Sequence, residues 1–121
     1  MMATFGANIL SVAPGTVVIA APVLPGSRQQ HGAGHAALAF GLGDSAAGYS
    51  ALSLLAEGVE VMTAEMKINL LAPAIGDRLI ATGRVIKAGR RLTVVTAEVE
   101  AETDGQRKLV ALLQGTMVPV G

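Results

Sequence analysis

The chain is 121 residues long, room for one domain; 51% of them are apolar and 15% charged, with nine basic side chains balancing nine acidic ones. That balance excludes a disordered tail and a basic nucleic-acid clamp, and three aromatics (Phe5, Phe40 and Tyr49) offer no stacking platform for single strands. Without Cys there is no disulfide framework, no thiolate nucleophile and no structural zinc of the usual kind, which leaves a small apolar domain expected in the cytoplasm, with no nucleic-acid partner.

No Lys or Arg precedes Arg28, so the N-terminus lacks the positive region of a secretory signal. Residues 8–13 and 16–23 flank the turn dipeptide Pro14-Gly15 and predict a hairpin. Residues 24–34 form a loop by composition. From His35 to about Glu57 the pattern is helical: Leu38, Leu42, Tyr49 and Leu52 recur near 3.6-residue spacing without proline, and Gly58 is a natural stop. Ala36, Ala37, Ala39, Ala46, Ala47 and Ala51, with Gly41, Gly43 and Gly48, fill the other faces. Each glycine costs about 1 kcal/mol relative to Ala in a helix, a loss tolerated where another backbone must come very close. A helix apolar nearly all round should be wrapped by the rest of the domain.

A membrane span is the competing reading of residues 35–56, where Asp44 is the one formal charge. A mid-span acid costs about 2.5–3.5 kcal/mol on insertion scales, and a stretch of mostly Ala and Gly does not offset it. The helix is therefore expected inside a protein core.

The remainder predicts four strands. In 62–70, Met62, Ala64, Met66, Ile68 and Leu70 alternate with a wet face of Thr63, Glu65, Lys67 and Asn69. In 79–87 the set is Leu79, Ala81, Gly83 and Val85; in 92–101, Val95, Ala97, Val99 and Ala101; in 107–118, Leu109, Ala111, Leu113, Gly115 and Met117. The connections are short, which predicts an antiparallel meander. A hairpin, one long apolar helix and four strands pack most simply as an α+β domain, a curved antiparallel sheet wrapped round the helix.

Three motifs near the helix start lack the context their chemistry needs. Gly32-Ala33-Gly34-His35-Ala36-Ala37 fits a dinucleotide fingerprint, but a polar loop precedes it and no parallel βαβ unit follows. Gly43-Asp44-Ser45 resembles a nucleophile elbow, yet Ser45 lies within the helix and no His follows His35. His31 and His35 have i, i+4 metal-ligand spacing, but Gly32 and Gly34 break the helix and no third ligand is at hand, so no metal site is expected. Asp44 differs from all of these. A lone carboxylate on a buried helix is expensive, so it either hydrogen-bonds a neighbouring segment structurally or serves as general base or nucleophile.

Gln29-x-x-Gly32-x-x-His35-Ala36-Ala37, Asp44-Ser45-Ala46-Ala47-Gly48-Tyr49, Thr63, Ile68-Asn69, Pro73 and Gly89-Arg90 together resemble the hotdog-fold acyl-CoA thioesterases of the phenylacetate-degradation (PaaI) type, within the 4-hydroxybenzoyl-CoA thioesterase-like superfamily. The similarity spans essentially the whole chain, residues 1–121, as a single hotdog domain. Its most specific part is a His nine residues before an Asp on the long helix. The resemblance implies that Asp44 is the catalytic acid, acting as general base on water or as nucleophile on the thioester carbonyl. It implies that the Ala36 backbone N–H polarises the thioester oxygen, with His35 beside it, Gln29 orienting substrate or water, and Thr63 positioning water. Gly32, Ala37, Asn69 and Gly89 are the implied substrate-binding positions, and Arg90 and Arg91, backed by Lys87 and Arg84, would hold the phosphates of coenzyme A. No metal or organic cofactor is implied, coenzyme A being part of the substrate.

This chain has His-Ala-Ala where many members have His-Gly-Gly. The N–H donor survives that exchange, because right-handed helical geometry suits both residues. Ala36 and Asp44 are eight residues apart, roughly 12 Å along a helix rising about 1.5 Å per residue. A carbonyl held about 3 Å from the oxyanion donor is then out of reach of Asp44 in the same chain, and the missing half must come from a second helix across a two-fold axis. The resemblance agrees, implying a homodimer with shared sites and a dimer of dimers. A non-catalytic acyl-CoA-binding or regulatory module is the alternative. A hotdog dehydratase, whose His follows the Asp on the helix, is disfavoured because no His follows Asp44.

Overall fold

The computed structural model describes residues 2–23 and 36–120. A short helix α1 (Met2–Phe5) leads into the hairpin β1 (Asn8–Ala13) and β2 (Thr16–Pro22); α2 (Ala36–Leu52) follows, then β3 (Glu60–Leu70), β4 (Arg78–Ala88), β5 (Thr93–Thr103) and β6 (Gln106–Val120). The six strands make one antiparallel sheet in the order β1-β2-β4-β5-β6-β3, with α2 packed against its inner face. This is the hotdog architecture that the sequence predicts. At the hairpin tip Gly15 takes φ +78°, the left-handed geometry demanded after Pro14 in such a turn.

The helix ends earlier than expected, at Leu52 and not near Glu57. The Ser50 and Ser53 hydroxyls donate to the carbonyls of Ala47 and Ser50, and Leu54 and Leu55 turn back to Ala51 and Leu52 with tightened i→i−3 bonds. The Ser53 hydroxyl also accepts the Gly15 N–H at 2.8 Å, which ties the helix end to the hairpin tip.

Within one chain the sheet covers one side of α2. Leu38, Ala39, Leu42, Gly43, Ala46, Ala47, Ser50 and Ala51 are buried, whereas Phe40, Asp44, Ser45, Gly48 and Tyr49 are half-buried and Ala36 and Ala37 exposed. The expected close approach is real. A Cβ on Gly83 of β4 would lie 2.3 Å from the carbonyl carbon and oxygen of Ala46 and 2.5 Å from the Ala47 nitrogen. Helix and strand thus meet backbone to backbone, and only small residues fit on both sides.

The meander holds for β4, β5 and β6 but not for β3, which pairs with β6 at the far edge of the sheet. Residues 71–77 carry the chain across the ends of two strands. The Leu71 and Ala72 N–H groups donate to the Val110 carbonyl on β6, and the Asp77 N–H to the Glu102 carbonyl on β5. Three inter-strand spacings of about 4.8 Å are well within the reach of seven extended residues. Connection length alone therefore does not require neighbours to pair.

Two bulges correct the expected faces. The register slips between Thr63 and Glu65, so Thr63 pairs with buried Met117, and Met66 with Gly115. Thr63 therefore joins Met66 and Ile68 on the helix-facing side, not Glu65, Lys67 and Asn69 on the outer face. A second slip, between Val99 and Glu100 of β5, buries Val110 and turns Leu109 outward. On the outer face Arg78 and Arg107 both donate to the Glu102 carboxylate, joining β4, β5 and β6. These hydrogen bonds, that of Arg78 first, hold the Glu102 carboxyl below the usual carboxylate range.

Candidate active site

Asp44 sits where α2 leaves the sheet's cover. Its neighbour Gly43 lies so close to Leu113 that a Cβ would come within 2.8 Å of that side chain, which seats the helix on β6 and leaves the next residue at the edge of the packed face. The Thr63 hydroxyl donates to Asp44 Oδ1 at 2.7 Å, a charge-assisted bond shorter than its 3.3 Å approach to the Met117 sulfur. The bulge at Ala64 makes this possible, since an uninterrupted strand would turn one of Thr63 and Met66 away from the helix. Among the described residues no Lys or Arg forms an ion pair with Asp44. A hydroxyl that spends its proton on a carboxylate presents only acceptor lone pairs, the form that orients water, and among the described residues no hydrogen bond occupies the second carboxylate oxygen.

The strand register extends this site across the sheet. Thr63 pairs with Met117, Met117 with Thr93, and Thr93 with Ala88, so the β4–β5 turn lies just past the same transverse row. Gly89, Arg90 and Arg91 occupy that turn, closed by the Gly89 N–H donating to the Leu92 carbonyl. With Lys87, Leu92 and Val94 they line an open depression of about 320 Å³, both arginines being exposed. Asp44, Thr63 and the arginine turn therefore share one end of the chain.

Ala36 and Ala37 open α2 at the other end. Ala36 borders a pocket of about 420 Å³, lined besides by Ala39, by Leu70 at the end of β3, by Leu71, Ala72, Pro73 and Ala74 of the crossover, and by Val110. Sequence reasoning named Pro73 as a family position but missed this pocket, because it depends on β3 crossing to the far edge and on the Val110 bulge. Asn69 is exposed on the outer face, opposite Leu112, and is not brought to Asp44. Gln29, Gly32 and His35, with His31, lie outside the described residues. Among the described residues no three His, Asp or Glu gather into a metal-binding cluster, and no helix is long and apolar enough to cross a membrane.

A model of the thioesterase superfamily matches residues 31–108. A thioesterase family protein from Silicibacter pomeroyi is 41% identical, the match covering 98% of this chain and 88% of that one with a TM-score of 0.95. The Escherichia coli PaaI protein of the phenylacetic acid degradation operon is 26% identical over 99% of this chain and 83% of its own, with a TM-score of 0.88. A Bacillus halodurans protein solved with CoA is 25% identical over 85% of this chain and 66% of its own, at a TM-score of 0.77. No curated protein matches.

Proposed function

This chain belongs to the thioesterase superfamily, of the hotdog-fold, PaaI-like type, and from that premise we propose that it hydrolyses an aryl or medium-chain acyl-CoA thioester to the free acid and coenzyme A. The observation that carries the reading is the 2.7 Å bond from Thr63 to Asp44, which aims the helix's lone acid at the open side of the sheet. A purely structural acid would be used up by its hydrogen bonds, whereas among the described residues only one oxygen of this acid is bonded, which leaves the other for water or for the thioester carbon. The Bacillus halodurans relative solved with CoA supports coenzyme A as the carrier.

In this scheme the Ala36 N–H, at the positive end of α2, donates to the developing oxyanion. Asp44 takes the proton of an attacking water that Thr63 orients and passes it to the CoA thiolate as the C–S bond breaks, or attacks the carbonyl itself, expelling the thiolate and leaving an anhydride that water then opens. Arg90 and Arg91 hold the phosphates. Asp44 and Ala36 stand at opposite ends of one chain, so each complete site draws its acid from one protomer and its oxyanion donor from a two-fold partner, in a homodimer that further pairs into a dimer of dimers. Gln29 and His35 would flank that oxyanion site, and Gly32, Ala37, Asn69 and Gly89 are the remaining substrate-binding assignments.

Thiol release measured over a panel of acyl-CoA thioesters tests the reading, with Asp44→Ala as the decisive variant. The expected result is turnover by the wild-type protein and a loss of about 10²–10⁴ in the variant, the usual contribution of a general base. Tight acyl-CoA binding without turnover would favour the non-catalytic module, and full activity in Asp44→Ala would remove the acid from the mechanism.

A further inference from the structure

Resting on the hydrolase reading, we infer that the pocket beside Ala36 receives the acyl group, that it selects unsubstituted hydrocarbon acyl chains, and that Val110 sets the length it accepts. The acyl carbon chain begins one bond from the carbonyl, so a carbonyl held at the Ala36 N–H directs its chain into whatever space adjoins that residue. That space is the 420 Å³ pocket, at the small end of the usual range of about 300–1,000 Å³ for ligand sites. Exposed Ala36, Leu70 and Leu71 stand at its mouth, and buried Ala39, Ala74 and Val110 at its depth.

Among the described residues every lining side chain is aliphatic or proline, and none of these can hydrogen-bond a hydroxyl or carboxylate carried on the acyl group. A polar substituent entering there leaves its water partners without replacement. Val110 is the bulged residue of β6, 1% exposed, and its carbonyl accepts from both Leu71 and Ala72. The same residue thus fixes the crossover that forms one wall and supplies a side chain to the interior. Its size is the adjustable dimension of the pocket.

The test is kcat/KM for straight-chain thioesters from acetyl- to dodecanoyl-CoA, with ω-hydroxyhexanoyl-CoA beside hexanoyl-CoA, for the wild type, Val110→Ala and Val110→Ile. Burial of each added methylene should raise kcat/KM about fourfold until the pocket is full, with no further gain beyond that length. The ω-hydroxyl should cost roughly 10- to 100-fold. Val110→Ala should lengthen the preferred chain and Val110→Ile shorten it, with circular dichroism and thermal melting certifying that both variants are folded. Hydrolysis indifferent to chain length, or an unchanged length profile in folded Val110 variants, overturns the pocket assignment and leaves the hydrolase reading standing. No turnover of any thioester by the wild type overturns both.

Discussion

A carboxylate on an apolar helix must answer for its presence, and Asp44 does so through one neighbour. Thr63 donates to it at 2.7 Å and holds it half-buried at the border of the packed face. A hydrogen bond to a charged group contributes about 1.5–3 kcal/mol, so Thr63→Val should cost roughly 10- to 100-fold in kcat with little change in melting temperature. Thr63→Ser, which keeps the hydroxyl, should restore most of the rate; a structural threonine valued for its methyl would show the opposite order. Steady-state kinetics of the two variants beside thermal melting decide between them. That Asp44 is the exception on its helix was legible in the sequence, because a single charge among alanines and glycines stands out without any structure. Its partner was legible only through the family resemblance, since strict alternation along β3 sends Thr63 to the wrong face.

At the scale of elements, strand and helix identities follow from local pattern, and errors enter where backbone irregularity or long-range pairing intervenes. The alternation of Val95, Ala97, Val99 and Ala101 predicts the buried face of β5, whereas β4 buries Ile80 along with Leu79 and Ala81, which strict alternation would have turned away. The bulges at Ala64 and Val110 have no signature in residue type, yet each turns a side chain over, and both border the proposed chemistry. The β3 crossover is equally silent, as residues 71–77 look like any turn until their N–H groups find Val110 and Glu102. The small-residue pattern, by contrast, carried a correct structural message: helix and sheet backbones touch at Gly83. Gly83→Ala should therefore destabilise the fold by at least the 1–3 kcal/mol typical of overpacking, despite the better strand propensity of Ala. Denaturant unfolding measures this, and a variant as stable as wild type would show that α2 can lift off β4 freely.

For the whole molecule, the arrangement of the proposed site is bipolar. One end of the chain offers Asp44, Thr63 and the Arg90–Arg91 turn; the other offers the start of α2 and the apolar pocket. Acid and oxyanion donor, roughly 12 Å apart along one helix, suit a site completed by a symmetry mate. Proline offers a clean way to test this, because at the first helical position it removes the N–H yet fits the backbone. Ala36→Pro alone should lose about 10²–10³ in rate, the usual value of one oxyanion donor. Protomers of Ala36→Pro and Asp44→Ala, each nearly inactive, are then co-expressed with different tags and the mixed dimers purified. In each mixed dimer one site pairs two damaged halves and the other pairs two intact ones. Shared sites thus predict recovery to about half the wild-type rate per dimer. Sites contained within single chains predict none, because every chain in the mixture lacks either its acid or its donor.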